Sequence, residues 1–399
     1  MKISYVNQYP PRFKTNDGRI VNVKVSSKKN NILEAVEENS NSLRQKYDEL
    51  GMERCYVHDL TIGAPDIDDV MEKLPKVDDI YRRTMGGGRF GDVALVEDDK
   101  FTFEANIVQL PEGNDVIFDG YTSKELFDQF HTFFTSPDAG ELAKQWIETK
   151  LSSHCEKHEI TTGGQPFYRS NLDLFVPKDQ KALRPLLIHI HGGYWQYTQK
   201  DIYYQIANSF TQEDVLVANL NYPQVPDVSI QEMIEVVKKS IRYLYVNAEK
   251  WGIDRDRISV AGHSSGAHLT ACMGVFNWSQ LDPDLPGSIF KNVVAFSGGY
   301  NMEPYMHDAQ NYQMGISPED LPFMSPLHLP CHRGAKFTLY AGSKESAEYQ
   351  AQTKDFYDHL VHNRVEADLR IIEQGDHFSV INEFYTHGGP IFNHVLSIL

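Results

Sequence analysis

From residue 186 onward, short apolar runs alternate with stretches of helical period. The runs at 186–190, 215–220, 257–261, 292–296, 335–341 and 367–372 read as strands. Helical patterns at 231–249, 266–276, 347–361 and 390–399 separate several of them. Such alternation predicts a mostly parallel sheet flanked by crossover helices. An apolar–polar alternation at 172–176 predicts one earlier, antiparallel strand.

The first 160 residues follow another pattern. Residues 32–50 are charged and helical, 66–83 are acid-rich, and 101–118 hold β-type pieces broken by Pro111, Gly113 and Asn114. Two amphipathic helices are expected at 125–134 and 141–151. The division is therefore placed near residue 160. Residues 161–399 are then expected to form one domain built on the alternating pattern, and 1–160 an extension that could be a small α+β domain, a dimerisation arm or a cap over that domain's site. A homo-oligomer stays open on that ground.

Composition narrows the partners. The chain carries 55 acidic against 38 basic residues, a net charge of −17. Binding to phosphate-rich polymers needs a basic footprint, so nucleic acid is excluded as a partner, and an anionic membrane surface fares no better. No run approaches the roughly 18 apolar residues of a membrane span, and the first residues show no signal-peptide pattern. Cys55, Cys155, Cys272 and Cys331 are too scattered for a metal motif or a disulfide framework. A cytoplasmic protein with free thiols, acting on a small-molecule substrate, is the expectation.

Candidate chemistry begins at Gly262-His263-Ser264-Ser265-Gly266. A strand precedes this G-x-S-x-G and a helix follows it. A sharp strand-to-helix turn needs small neighbours around a nucleophilic serine, which then stands exposed at a helix N-terminus. Ser264 is the candidate nucleophile. His191-Gly192-Gly193-Tyr194-Trp195 follows the strand 186–190. There Gly192 and Gly193, with the N–H of Ser265, can form an oxyanion hole. His377, in Gln374-Gly375-Asp376-His377-Phe378, follows the last strand and is the candidate base, with His387 and His394 as rivals. Its acid partner should follow the preceding strand, which selects Glu345 over Glu348 and over Asp376, too near His377 in sequence. The order Ser264, Glu345, His377 is that of the α/β-hydrolases.

Three patterns are set aside. His189 and His191 share a strand face but have no third ligand at a helpful spacing. His154 and His158 lack the glutamate of a zinc-hydrolase helix and read as surface residues. Gly86-Gly87-Gly88-Arg89-Phe90-Gly91 matches a dinucleotide pattern, but a strand rather than a helix should follow it. No metal or other cofactor is expected.

His191-Gly192-Gly193-Tyr194-Trp195-Gln196, Gly262-His263-Ser264-Ser265-Gly266-Ala267-His268-Leu269 and Asp376-His377-Phe378 together resemble kynurenine formamidase (arylformamidase), of the esterase/lipase branch of α/β-hydrolases. The resemblance covers about residues 168–399. It implies Ser264 as nucleophile, His377 as base, Gly192 and Gly193 as oxyanion positions, and an aryl formamide as substrate. Tyr194 and Trp195 would wall the pocket. The family's Gly-x-x-Asp-Ser-Pro-Glu stretch stands here as Gly342-Ser343-Lys344-Glu345-Ser346-Ala347-Glu348, with glutamate for aspartate. The N-terminal region is longer than the family's. A general carboxylesterase is the alternative, with acyl transfer or a non-catalytic binding protein on a hydrolase fold behind it.

Overall fold

Eight strands form the larger sheet of this computed structural model. It describes residues 3–5, 19–51, 55–85, 92–109, 116–132, 136–162, 170–178, 183–308 and 310–399. The glycine cluster at 86–91 lies outside them. Strands are numbered β1 to β15 along the described chain.

The chain divides into two compact units. The smaller comprises Met1–Phe127 with Val225–Asp227 and His307–Gly315. Its sheet runs in the order β1 (Ile3–Tyr5), β4 (Asp92–Glu97), β3 (Cys55–Ala64), β5 (Thr102–Gln109) and β2 (Arg19–Ser26). Along β5, Phe103, Ala105 and Ile107 are buried. Glu104 and Asn106 between them meet Lys24 and Asn22 across the β2 register. One face is thus apolar and the other polar, the period-2 pattern of a half-buried antiparallel pair. Helices Ile32–Leu50 and Ile67–Met85 contribute Val36, Leu43, Val70 and Tyr81 to the same core. A short hairpin, β6 (Val116–Phe118) and β7 (Tyr121–Thr122), follows.

The larger unit holds Asp128–Gln224, Val228–Met306 and Ile316–Leu399. Its sheet is ordered β15 (Ala367–Ile372), β14 (Lys336–Gly342), β13 (Asn292–Phe296), β12 (Ile253–His263), β10 (Arg184–Ile190), β11 (Leu216–Leu220), β9 (Asn171–Pro177) and β8 (Cys155–Thr161). Strands β10 to β15 pair in parallel, and β9 pairs antiparallel with both β11 and β8. All residues of β11 and β13 are buried, as expected where helices cover both faces of a parallel sheet. The division falls at Phe127 and Asp128, so β8 and the helix Ala139–Glu148 go with this sheet; Trp146 of that helix joins its core beside Phe175, Tyr203 and Tyr385.

Strand order reverses beside β10, whose C-terminal end leads into His191-Gly192-Gly193. β12 ends at His263, immediately before Ser264, and β14 and β15 precede Glu345 and His377. All candidate site residues therefore gather at the carboxyl ends of parallel strands, where open α/β sheets bind ligands.

Candidate active site

Ser264 occupies a backbone conformation that side chains rarely adopt, with φ 57° and ψ −123°. Glycines make the turn possible. A Cβ on Gly262 would stand 2.3 Å from the carbonyl oxygen of Gly266, and one on Gly266 would stand 2.2 Å from that of Ile190. These contacts are with backbone, which cannot swing aside. The turn is held by Ser264 N donating to Phe296 O at 2.9 Å and His268 N donating to Ser264 O at 3.1 Å. The helix Ser265–Val275 starts directly behind the serine and is buried along its whole length. Its N-terminal partial positive charge favours an anion beside Ser264.

The loop after β10 carries comparable strain. Gly193 has φ 119°, and Tyr194, Trp195 and Thr198 have φ of 53°, 58° and 68°. Non-glycine residues in this region persist only where their surroundings over-determine them. Here Thr198 Oγ1 donates to Gly192 O at 2.6 Å, Tyr222 Oη to His191 O at 2.6 Å, and Gln224 Nε2 to Tyr197 O at 2.6 Å. A Cβ on Gly192 would lie 3.2 Å from Ser264 Cβ, so this backbone passes directly beside the nucleophile.

His377 Nδ1 bonds Glu345 Oε2 at 3.0 Å, with both side chains almost fully buried. The other carboxylate oxygen accepts from Ser297 Oγ at 2.5 Å and Gly342 N at 2.7 Å. A carboxylate can only accept, so Nδ1 carries the proton and Nε2 is left basic.

The rivals have other engagements. Glu348 sits in the first turn of the helix Ala347–His362, and Asp376 accepts the N–H groups of Phe378 and Ser379. His387 pairs with Glu213 at 2.8 Å, and His394, on the last helix, bonds Tyr340 Oη. His189 bonds Tyr385 Oη at 3.0 Å, while His191 stacks on Tyr222 with ring centroids 4.3 Å apart. His154 and His158 are half-buried rather than fully at the surface, and His154 bonds Thr211.

Trp195 is 1% exposed. Its Nε1 donates to His268 Nδ1 at 3.1 Å, and His268 Nε2 in turn donates to Met324 O at 2.7 Å. Burial lowers the pKa of His268 to about 4, so the ring is neutral, as this chain of bonds requires. Tyr194 packs against His131 and Tyr305 at 4.6 and 5.8 Å between centroids. Away from the triad candidates, a cavity of about 790 Å³ is lined by Ile234, Cys272, Phe276, Phe323 and Leu329 among others.

Two residues escape the sequence reading. His263 Nε2 bonds the carbonyl of His377 at 2.7 Å, and Ser297 holds Glu345. Ser297 directly follows β13, so the strand-end rule that selected Glu345 and His377 could have found it. His263 lies inside the pentapeptide, at a position the motif leaves unspecified.

Comparison with solved structures decides the architecture. Esterase B of Lactobacillus rhamnosis superposes with a TM-score of 0.55 at 16% identity, over 69% of this chain and 93% of that one. A Pyrobaculum calidifontis esterase gives 0.53 at 15%, over 71% and 94%. The chain has the α/β-hydrolase fold. Within this fold, the family model BD-FAE matches residues 172–320. A probable isoprenylcysteine α-carbonyl methylesterase of Oryza sativa subsp. japonica is 27% identical over 58% of this chain, a match spanning 59% of that protein. Kynurenine formamidase of Danio rerio is 25% identical over 53% of this chain and 72% of its own length. The relatives of this α/β-hydrolase-fold chain thus include hydrolases of both esters and formamides.

Proposed function

We propose that the chain is a serine hydrolase that cleaves an amide or ester through an acyl-enzyme, with an aryl formamide such as N-formylkynurenine as substrate. The observation that carries this reading is the bonded sequence Ser297–Glu345–His377, whose histidine carbonyl bonds the side chain of His263, the residue immediately before a serine held at positive φ. Ser264 Oγ attacks the substrate carbonyl while His377 Nε2 takes its proton. The N–H groups of Gly192, Gly193 and Ser265 hold the resulting oxyanion, the largest electrostatic contribution in such reactions. His377 then protonates the leaving amine or alcohol, and water attacks the acyl-enzyme by the same route. The cycle closes on water and needs no cofactor.

Tyr194 is the better placed of the two aromatics to meet an aryl leaving group, because it keeps 7% of its surface exposed whereas Trp195 keeps 1% and has its N–H bonded to His268. The tight backbone corner at Gly192 favours a very small acyl group. One added methyl should then cost about 1–3 kcal/mol in specificity. The carboxylesterase remains the second reading, favoured by the methylesterase among the relatives.

The test compares N-formylkynurenine, its acetyl analogue and p-nitrophenyl esters of increasing chain length by kcat/KM, with Ser264→Ala as control. The formamide should win, and the control should lose roughly a million-fold in turnover. If butyryl or longer esters win by ten-fold or more and the formamide is untouched, the carboxylesterase takes its place. A Ser264→Ala variant retaining a tenth of wild-type activity overturns both.

A further inference from the structure

The residue before the nucleophile is imposed by nothing in the turn itself. The crowding at the elbow falls on Gly262 and Gly266, and position 263 has only to end a strand. Yet the His263 ring reaches the loop after β15. Its Nε2 lies 2.7 Å from the main-chain oxygen of His377, with the two imidazole centroids 4.5 Å apart. Both residues are buried.

We propose that His263 is a positioning residue, a tie that sets where His377 stands relative to Ser264. This rests on the hydrolase reading above. A carbonyl has no proton to give, so Nε2 of His263 must be the donor. The ring can do this while uncharged. Burial, with the neighbouring His377 adding to it, keeps His263 well below the usual imidazole range, so no second cation sits beside the imidazolium that forms in catalysis.

Two restraints then act on His377 along different directions. Glu345 fixes the ring's tautomer and rotation through Nδ1. His263 fixes the loop's backbone through the carbonyl. Because His263 is covalently joined to Ser264, and Ser264 N is anchored on Phe296 O, the second restraint refers the base directly to the nucleophile. Without the donor, the carbonyl of His377 loses its partner inside the protein and the loop can shift to regain one. Displacements on the order of 1 Å are enough to cost a reaction about a hundred-fold.

The experiment pairs His263→Phe, which keeps a ring and removes the donor, with His263→Gln, whose side-chain amide nitrogen can occupy the place of Nε2. A fluorophosphonate probe, which is attacked by the serine oxygen at phosphorus, reports the rate of labelling at Ser264. Steady-state kcat and KM on the best substrate, and the melting temperature, are measured alongside. His263→Phe should lose at least about ten-fold in labelling rate and kcat with KM unchanged, and His263→Gln should stay within about three-fold of wild type. The proposal is overturned if His263→Phe labels as fast as wild type, or if both variants lose activity alike in step with melting temperature. Should His263→Phe fail to fold, His263→Gln decides alone: retention within about three-fold supports the tie, and any greater loss overturns it. Wild-type chain that is not labelled at Ser264 removes the hydrolase reading and the tie with it, whereas labelled wild type and an indifferent His263→Phe remove the tie alone.

Discussion

Ser297 donates its hydroxyl to Glu345 Oε1 at 2.5 Å from a backbone held at φ 52°. The hydroxyl and the N–H of Gly342 together occupy one carboxylate oxygen, which leaves the other aimed at His377. A glutamate is one methylene longer than the aspartate of the resembled family, and this cradle is what restrains the extra torsion.

The cradle makes the acid's identity testable. Glu345→Gln should cost about a hundred-fold or more in kcat, since an amide can hold the imidazole in the wrong tautomer. Glu348→Gln should cost little, because Glu345 is the carboxylate that holds His377, while Glu348 accepts from Gln352 on its own helix. Ser297→Ala should fall between them, at roughly ten-fold, by loosening the carboxylate without removing it. The reverse order for the two glutamates, measured as kcat on one substrate, moves the acid to Glu348.

Gly266→Ala should be the most damaging single methyl in the elbow. The new Cβ would meet the carbonyl oxygens of Ile190 and His191 at 2.2 and 2.5 Å, and both belong to β10 or the oxyanion loop. Overpacking in a rigid core costs typically about 1–3 kcal/mol. Gly252→Ala is a useful contrast: nothing crowds its Cβ, and the penalty there comes only from φ 70°. Chemical denaturation should rank Gly266→Ala as the less stable of the two, with activity lost as well. Equal stability and full activity would show that the loop after β10 can yield.

Acid should weaken the larger unit before most carboxylates are protonated. Burial lowers the pKa of His189 to about 3 and of His268 to about 4, and also depresses His263. The folded chain therefore leaves these rings neutral while the unfolded chain protonates them below about 6.5. Stability is fully present above that value and declines as pH falls toward the folded pKa values. Each histidine contributes up to about 1.4 kcal/mol per pH unit. Urea midpoints should drop from pH 6.5 to 4.5, and His268→Gln should lessen the slope by one proton's worth. A flat profile over that interval contradicts the assignment of neutral rings.

The inner parallel strands were legible because burial on both faces keeps them mostly apolar, whereas the half-exposed edge strand Ala367–Ile372 carries Asp368 and Arg370 and shows mainly through Leu369, Ile371 and Ile372. Asn292–Phe296 and Ala367–Ile372 occur where the apolar runs place them, and the elbow at Ser264 follows its flanking glycines. Strand Cys155–Thr161 gave no such signal. It pairs on one side only, at the sheet's edge, and buries only Cys155 and Ile160, so its sequence reads as polar and points to a division near residue 160, whereas the compact units divide at Phe127 and Asp128. The helix expected over 231–249 is interrupted at Asn247, whose side chain turns back onto the carbonyl of Tyr243. Of the site, the residues named by motif were visible, while Ser297 and His263 act through contacts between segments 48 and 114 residues apart. Only the folded chain brings those together.

The two sheets have separate apolar cores: one is built around Phe103, Ile62 and Val36, the other around Phe175, Val294 and Phe384. Cooperativity in unfolding belongs to such cores rather than to chains. A calorimetric scan should accordingly resolve two endotherms. Every residue of the proposed chemistry lies in the larger unit, so loss of turnover on heating should follow the transition of that unit alone. The midpoint of thermal inactivation then becomes a label, telling which heat-absorption peak belongs to which part of the molecule.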